Sequence, residues 1–214
     1  MEPTIYKPSI YKGAGIYKTG AEGGYSPLPK EYEQVNFLKK ELGANTSILN
    51  PTGTFQMQAS DYVELSFALY TNDNVDGSSY GIFYIGSSYN VCEFSVYTRS
   101  FVCRWGDGNT WYTNTNLTSG VEKEFTATLR QGTFVVNGVT VGVGTGNISP
   151  NKIYQLCGGN EHIYTKMFSI KVFNSADTLK FEFIPCKRKL DDNPGLYEIF
   201  TNTFIGAGSG FSCG

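Results

Sequence analysis

Residues 181–214 read FEFIPCKRKLDDNPGLYEIFTNTFIGAGSGFSCG. With Leu179 just before it, the opening of this stretch places Leu179, Phe181 and Phe183 at every second position, the spacing of a strand with one buried face. Working outward, the same alternation recurs. In residues 62–70, Val63, Leu65, Phe67 and Leu69 fall on one face while Glu64, Ser66 and Ala68 fall on the other. Phe125, Ala127 and Leu129 repeat it, as do Phe168, Ile170 and Val172. Asp76-Gly77, Asp107-Gly108, Asn137-Gly138 and the Ser175–Asp177 step supply turn chemistry between such runs. Asn137-Gly138 suits a type I′ turn, because both central residues need positive φ. The pattern predicts an antiparallel sandwich.

A chain of 214 residues accommodates this as one domain, since all-β sandwiches commonly reach that length. Apolar residues make up 40%, aromatics 15%, and there are 25 glycines, a mixture suited to many short strands and tight turns. The net charge of -2 and isoelectric point near 5.5 provide no basic field for phosphates, so nucleic acid is not an expected partner. No apolar run approaches a membrane span. One segment is ambiguous. In residues 31–42, Tyr32, Val35, Leu38 and Leu42 have the spacing of one helix face as well as a place in an extended reading.

The closing stretch also resembles the end of the concanavalin A-like, or laminin G-like, sandwich modules common in gut-bacterial surface proteins and in Bacteroidales-type gut phages. The shared pattern is a strand, a proline, a basic pair, an acidic turn, a Gly-Leu-Tyr-Asp step and a phenylalanine near a glycine-rich end. Phe183, Pro185, Lys187, Arg188, Asp191, Gly195, Leu196, Tyr197 and Phe204 match it. Glu198 stands where aspartate is usual, and the Phe-Thr-Asn step is rearranged around Thr201 to Phe204. LPKEYEQVNFLKK, residues 28–40, resembles the opening strand, and GTFVVNGVTV, residues 132–141, the central hairpin. The resemblance therefore spans residues 28–214. It implies an all-β, antiparallel concanavalin A-like jelly roll, with Val35 and Phe37 at strand positions.

Residues 1–26 are of another kind. Ile-Tyr-Lys occurs at residues 5–7, 10–12 and 16–18, separated by Pro, Gly and Ala. Such a segment has too few apolar residues for a core and too much Gly and Pro for a helix. Its tyrosines Tyr6, Tyr11 and Tyr17 offer rigid amphipathic contacts. A flexible linker and an extended docking arm both fit; similarity to the Tyr-Lys-Gly openings of small gut-phage virion proteins favours the arm. The expected organisation is a docking arm over residues 1–26 and a sandwich over 27–214. The opening lacks the charged and apolar regions of a signal peptide, so secretion by that route is not expected.

Cys92, Cys103, Cys157, Cys186 and Cys213 form an odd set without Cys-x-x-Cys spacing, which predicts free thiols of a reducing compartment and no zinc cluster. A Cys92–Cys103 bond across adjacent strands is the one pairing left open. The single histidine, His162, is expected in a turn. Glu122 and Glu124 lack the paired-carboxylate motif of sandwich glycosidases and read as a solvated strand entry. Residues 72–77, NDNVDG, have the oxygen spacing of a calcium loop, yet Phe83 occupies the position of its bidentate glutamate, which favours an Asx turn. No enzyme, cofactor or metal is expected.

The best candidate for recognition is residues 104–116, RWGDGNTWYTNTN. Trp105, Trp111 and Tyr112 offer stacking faces for sugar rings, and Asp107, Asn109, Asn114 and Asn116 offer hydroxyl partners. The alternative is that an indole fills the core and the polar residues build a hairpin. Tyr80, Tyr84, Tyr89 and Asn90 form a second aromatic and polar group. Taken with the resemblance, these features imply a phage virion protein: a capsid decoration, head fibre or tail component. It would be present in many copies, held by its arm to other virion proteins and binding host-surface or mucus polysaccharide. A purely cementing role and a bacterial surface lectin are the alternatives.

Overall fold

The computed structural model describes residues 28–43, 48–49, 54–72, 79–85, 91–97, 100–106, 109–112, 117–142, 151–158 and 162–214. The expected docking arm, with Tyr6, Tyr11 and Tyr17, lies outside them. The described strands, in chain order, begin with β1 (Tyr32–Gln34), β2 (Leu38–Lys40), β3 (Ile48–Leu49), β4 (Gln56–Met57), β5 (Tyr62–Thr71) and β6 (Ser79–Ile85). Then come β7 (Val91–Tyr97), β8 (Ser100–Gly106), β9 (Asn109–Tyr112), β10 (Lys123–Arg130), β11 (Thr133–Val136) and β12 (Val139–Gly142). The last six are β13 (Asn151–Cys157), β14 (Ile163–Phe173), β15 (Leu179–Arg188), β16 (Asn193–Glu198), β17 (Thr203–Gly206) and β18 (Phe211–Cys213).

These strands form a two-sheet, all-β sandwich with antiparallel pairing. The larger sheet runs β12-β11-β10-β5-β14-β15-β16-β17, with β1 on β15 and β2 between β14 and β18. The smaller runs β3-β13-β6-β7-β8-β9, with β4 on β13. The alternation in β5 is realised as expected: Val63, Leu65, Phe67 and Leu69 are buried and Glu64 is exposed. Ala68 departs from the pattern, being buried although its register position falls on the outer face.

The core is an aromatic bridge between the sheets. Phe67 of β5 lies 5.7 Å from Phe94 of β7, 5.9 Å from Phe101 of β8 and 5.7 Å from Phe125 of β10, measured between ring centroids. Burying each ring contributes about 1.5–3 kcal/mol, and edge-to-face and offset contacts add about 0.5–1.5 kcal/mol per pair. A smaller cluster of Leu28, Ile184, Cys186 and Tyr197 lies apart from the main core. Tyr32 packs against it, 4.9 Å from Tyr197 and 5.0 Å from Phe204.

The ambiguous segment resolves as two short strands. Leu42 is exposed, so the helical face does not form. The extended reading of Val35 and Phe37 also needs correction: both fall in the link between β1 and β2. The reason is a change of partner. The chain pairs with β15 through Gln34 and with β14 from Leu38 onward, and between them Asn36 and Phe37 donate backbone N–H groups to the Gly214 carbonyl.

The two hairpins read from sequence are present. Val136 pairs with Val139 around Asn137 at φ 48° and Gly138 at φ 77°, the positive values that a two-residue turn demands. Arg188 pairs with Asn193, and its guanidinium donates to Asp191 across the turn at 2.9 and 2.5 Å. Pro185 lies where one edge of β15 passes from β14 to β1, a place where a missing N–H is tolerated. Gly195 is required by packing, because a Cβ there would sit 2.7 Å from the Phe204 ring. Glu198 is fully buried and accepts bonds from Glu182 N at 3.0 Å and from the N–H and hydroxyl of Thr201 at 2.7 Å each. That carboxylate locks the turn into β17.

Register answers the cysteine question. Cys92 pairs with Trp105 and Cys103 with Phe94, so the two are diagonal neighbours. Diagonal Cα atoms stand about 7–8 Å apart, beyond the usual 4.4–6.8 Å of a disulfide. Burial pushes the Cys157 and Cys186 thiols up to about 12, which makes both inert.

Two outcomes are expected. Phe67→Ala should cost about 3–5 kcal/mol in urea denaturation with an unchanged m-value. Protein purified without reductant should show all five cysteines as free thiols to a thiol reagent once unfolded; a count of three would mean that the chain carries a disulfide.

Candidate binding face

The residues expected to recognise sugar lie on the outermost hairpin of the smaller sheet. Trp105 of β8 pairs with Asn109 of β9, and Cys103 pairs with Trp111. Asp107, Asn114 and Asn116 lie outside the described residues, as do Tyr89, Asn90 and the loop after Asn72. Phe83, Phe94, Cys103 and Trp111 form one cross-strand row. Phe83 and Phe94 are buried in the inter-sheet core. Trp111 thus shares a backbone register row with Phe83 and Phe94. The structure gives the backbone pairing of this hairpin, and the side chains of Trp105, Asn109, Trp111 and Tyr112 lie outside its description.

It brings together a different set, on the outer face of the larger sheet. Tyr70 of β5 and Tyr164 of β14 are register partners, and their rings stack at 4.8 Å with an interplanar angle of 4°. Glu122, just before β10, reaches over this pair. The Tyr164 hydroxyl donates to its Oε2 at 2.6 Å, and Lys166 Nζ donates to its Oε1 at 2.8 Å. From the other side, Lys39 of β2 lies 4.8 Å from the Tyr164 ring centroid and 2.7 Å from Glu41. Ser212 of β18 donates to the same Glu41 carboxylate.

A bulge supplies the other aromatic pair. Phe67 pairs with Met167 and Ser66 with Ser169, so Phe168 is an extra residue in β14. Met167, Ile170 and Val172 are buried, whereas Phe168 is half-buried and meets Phe37 edge-on at 6.5 Å. The alternation read through Phe168, Ile170 and Val172 is corrected accordingly. Lys166 sits 4.9 Å from the Phe37 ring and so links the two aromatic pairs.

The electrostatics fix these groups in place. Burial pushes the Glu122 carboxyl up, but the bonds from Lys166 and Tyr164 and the nearby lysine charges outweigh it, leaving it below its ordinary value. Glu41 behaves likewise through Lys39 and Ser212. The Tyr164 phenol is raised, first by burial and then by Glu122, so it remains a donor at neutral pH. Glu122 was read as a solvated strand entry. It is exposed as a residue, yet both oxygens of its carboxylate are bonded within this network. His162 lies in the turn before β14, beside Asn72 at 3.4 Å. Among the described residues, no group of three His, Cys, Asp or Glu could hold a metal ion.

What results is a rigid surface of half-buried aromatic rings interleaved with paired charges. Its contributing segments lie far apart in sequence, around Lys39, Tyr70, Glu122 and Tyr164, and the register of β5, β14 and β2 joins them. The alternating Tyr164 and Lys166 opposite Tyr70 is the one local signal that could have indicated it. No protein-family model and no curated protein matches this chain.

Because Glu122 and Glu41 have lowered values in the folded state, their stabilisation is present above about pH 4.5 and is lost as pH falls through the folded values. Denaturation at pH 6 and pH 3 should show a stability loss that Glu122→Gln with Glu41→Gln reduces. At pH 7, Glu122→Gln alone should cost about 0.5 kcal/mol, as expected of a partly exposed pair.

Proposed function

We propose that this chain is a non-enzymatic phage virion protein. In this reading, a concanavalin A-like jelly roll is tethered by residues 1–26 and binds host-surface or mucus glycans. The observation that carries the binding half is the stacked Tyr70–Tyr164 pair, held by Glu122 and flanked by Lys39 and Lys166. Aromatic rings beside fixed donors and acceptors are what a sugar ring with apolar and hydroxylated sides requires. Two buried carboxylates elsewhere have structural work: Glu198 closes a turn, and Asp61 accepts from Gln58 N at 2.8 Å and from Lys180 Nζ at 2.5 Å.

The tether is supported at its root. Leu28 is buried in the small core, and β1 continues the backbone pairing of β15. Lys189 donates through its backbone to the Glu31 carbonyl at 2.9 Å and through Nζ to the Lys30 carbonyl at 2.8 Å. Load on the residues before Leu28 thus passes directly into the sheet. Copies so anchored on one particle convert weak sugar contacts into strong attachment, because each further engagement is effectively intramolecular. The same paired charges would also suit a protein interface, the basis of a purely cementing role.

The test uses full-length chain displayed as a multimer on beads, applied to polysaccharides extracted from host cells and mucus. Tyr70→Ala with Tyr164→Ala should reduce retention at least tenfold while near-UV circular dichroism stays native. Loss on Trp111→Ala instead would move the site to the β8–β9 hairpin. Absence of retention by any polysaccharide would favour cementing.

A further inference from the structure

We infer that the Tyr70–Tyr164 face selects uncharged glycans and rejects polyanionic ones. This rests on the glycan-binding reading above and adds the class of ligand. The outer face carries three lysines, Lys39, Lys166 and Lys171, each beside a carboxylate: Glu41 at 2.7 Å, Glu122 at 2.8 Å and Glu182 at 3.3 Å. Two exposed glutamates, Glu64 and Glu124, occupy the same face on β5 and β10. Three lysines against five glutamates leave a difference of two negative charges. At the far end, Lys180 with Asp61 and Arg130 with Asp177 cancel and do not change the sign.

Among the described residues of this face, each lysine that a sulfate or carboxylate on a ligand would meet already has a carboxylate neighbour. Binding one would mean breaking a pair such as Lys166 with Glu122, which also holds the Tyr164 hydroxyl. A neutral hydroxyl faces no such cost. The Glu122 carboxylate has about four lone-pair sites and an ammonium three donors, whereas the bonds described use two of the former and one of the latter. Remaining capacity points along directions already fixed by the ion pair. The face is therefore preorganised for hydroxyl groups and electrostatically closed to anions.

The experiment measures retention of three neutral polysaccharides, dextran, laminarin and galactan, and of the sulfated derivative of each, on the multimeric full-length chain at 20 and 300 mM NaCl. For any neutral member that binds, retention should change less than twofold with salt. Its sulfated form should bind at least tenfold more weakly at 20 mM, with the gap narrowing at 300 mM as repulsion is screened. Glu64→Lys with Glu124→Lys, two exposed positions outside the aromatic pair, should raise sulfated binding at least fivefold at low salt. Equal or stronger binding of a sulfated form by the unmodified chain would overturn the inference while leaving glycan binding intact. The same holds if charge reversal leaves discrimination unchanged. Failure of every polysaccharide, neutral or sulfated, would remove both the inference and the reading on which it rests.

Discussion

The pairing of β5 with β14 is the constraint on which the rest of the structure depends. These two long strands lie at the centre of the larger sheet, and their inward residues, Phe67, Leu69, Met167 and Ile170 among them, are almost wholly buried. Phe67 extends from this pair to Phe94 and Phe101 in the other sheet, so the contact that closes the sandwich also fixes the register of its central ladder. A slip of one residue would turn that entire apolar row outward. The same register aligns Tyr70 with Tyr164 on the outside. Core and aromatic outer face are thus two sides of one pairing.

The bulge at Phe168 divides the labour along β14. On its C-terminal side β14 pairs with β15, and on its N-terminal side with β2. The extra residue places an aromatic ring outside, where it meets Phe37, instead of adding to an already filled core. The strand edge freed beyond the β14–β15 hairpin is taken by β2, whose Lys39, with Glu41 just after the strand, completes the outer network while Lys40, fully buried, donates to the Ile163 carbonyl at 3.3 Å. β18 then covers the far edge of β2. Chain segments from both ends of the described sandwich therefore assemble the face.

What the sequence made legible follows from range. Alternation in β5 and β10 and the Asn137-Gly138 turn depend on neighbours a few residues away, and the structure shows each as read. The strand entering Phe183 is present, but a register shift at Val172/Phe173 sets Leu179 opposite Phe173 and leaves Leu179 and Phe181 half-buried, so its alternation is not realised. The closing hairpin rested on a resemblance, and its strand pairing is present with Arg188 and Asp191 at the turn. Phe168 misled because a bulge breaks the two-residue period without any glycine to mark it. Val35 and Phe37 misled because the chain changes partners there. The face itself was illegible: Tyr70, Glu122, Tyr164 and Lys39 share no local motif, and tryptophans in a polar hairpin gave the stronger local signal. Register then placed Trp111 in the row of buried Phe94.

The measurement that bears most directly on this account is amide chemical-shift mapping of the full-length chain titrated with a neutral oligosaccharide cut from a retained polysaccharide. The account predicts that shifts cluster on Lys39, Tyr70, Tyr164 and Lys166, four positions on three adjacent strands of the larger sheet. Shifts confined to the β8–β9 hairpin, with those four unmoved, would contradict it.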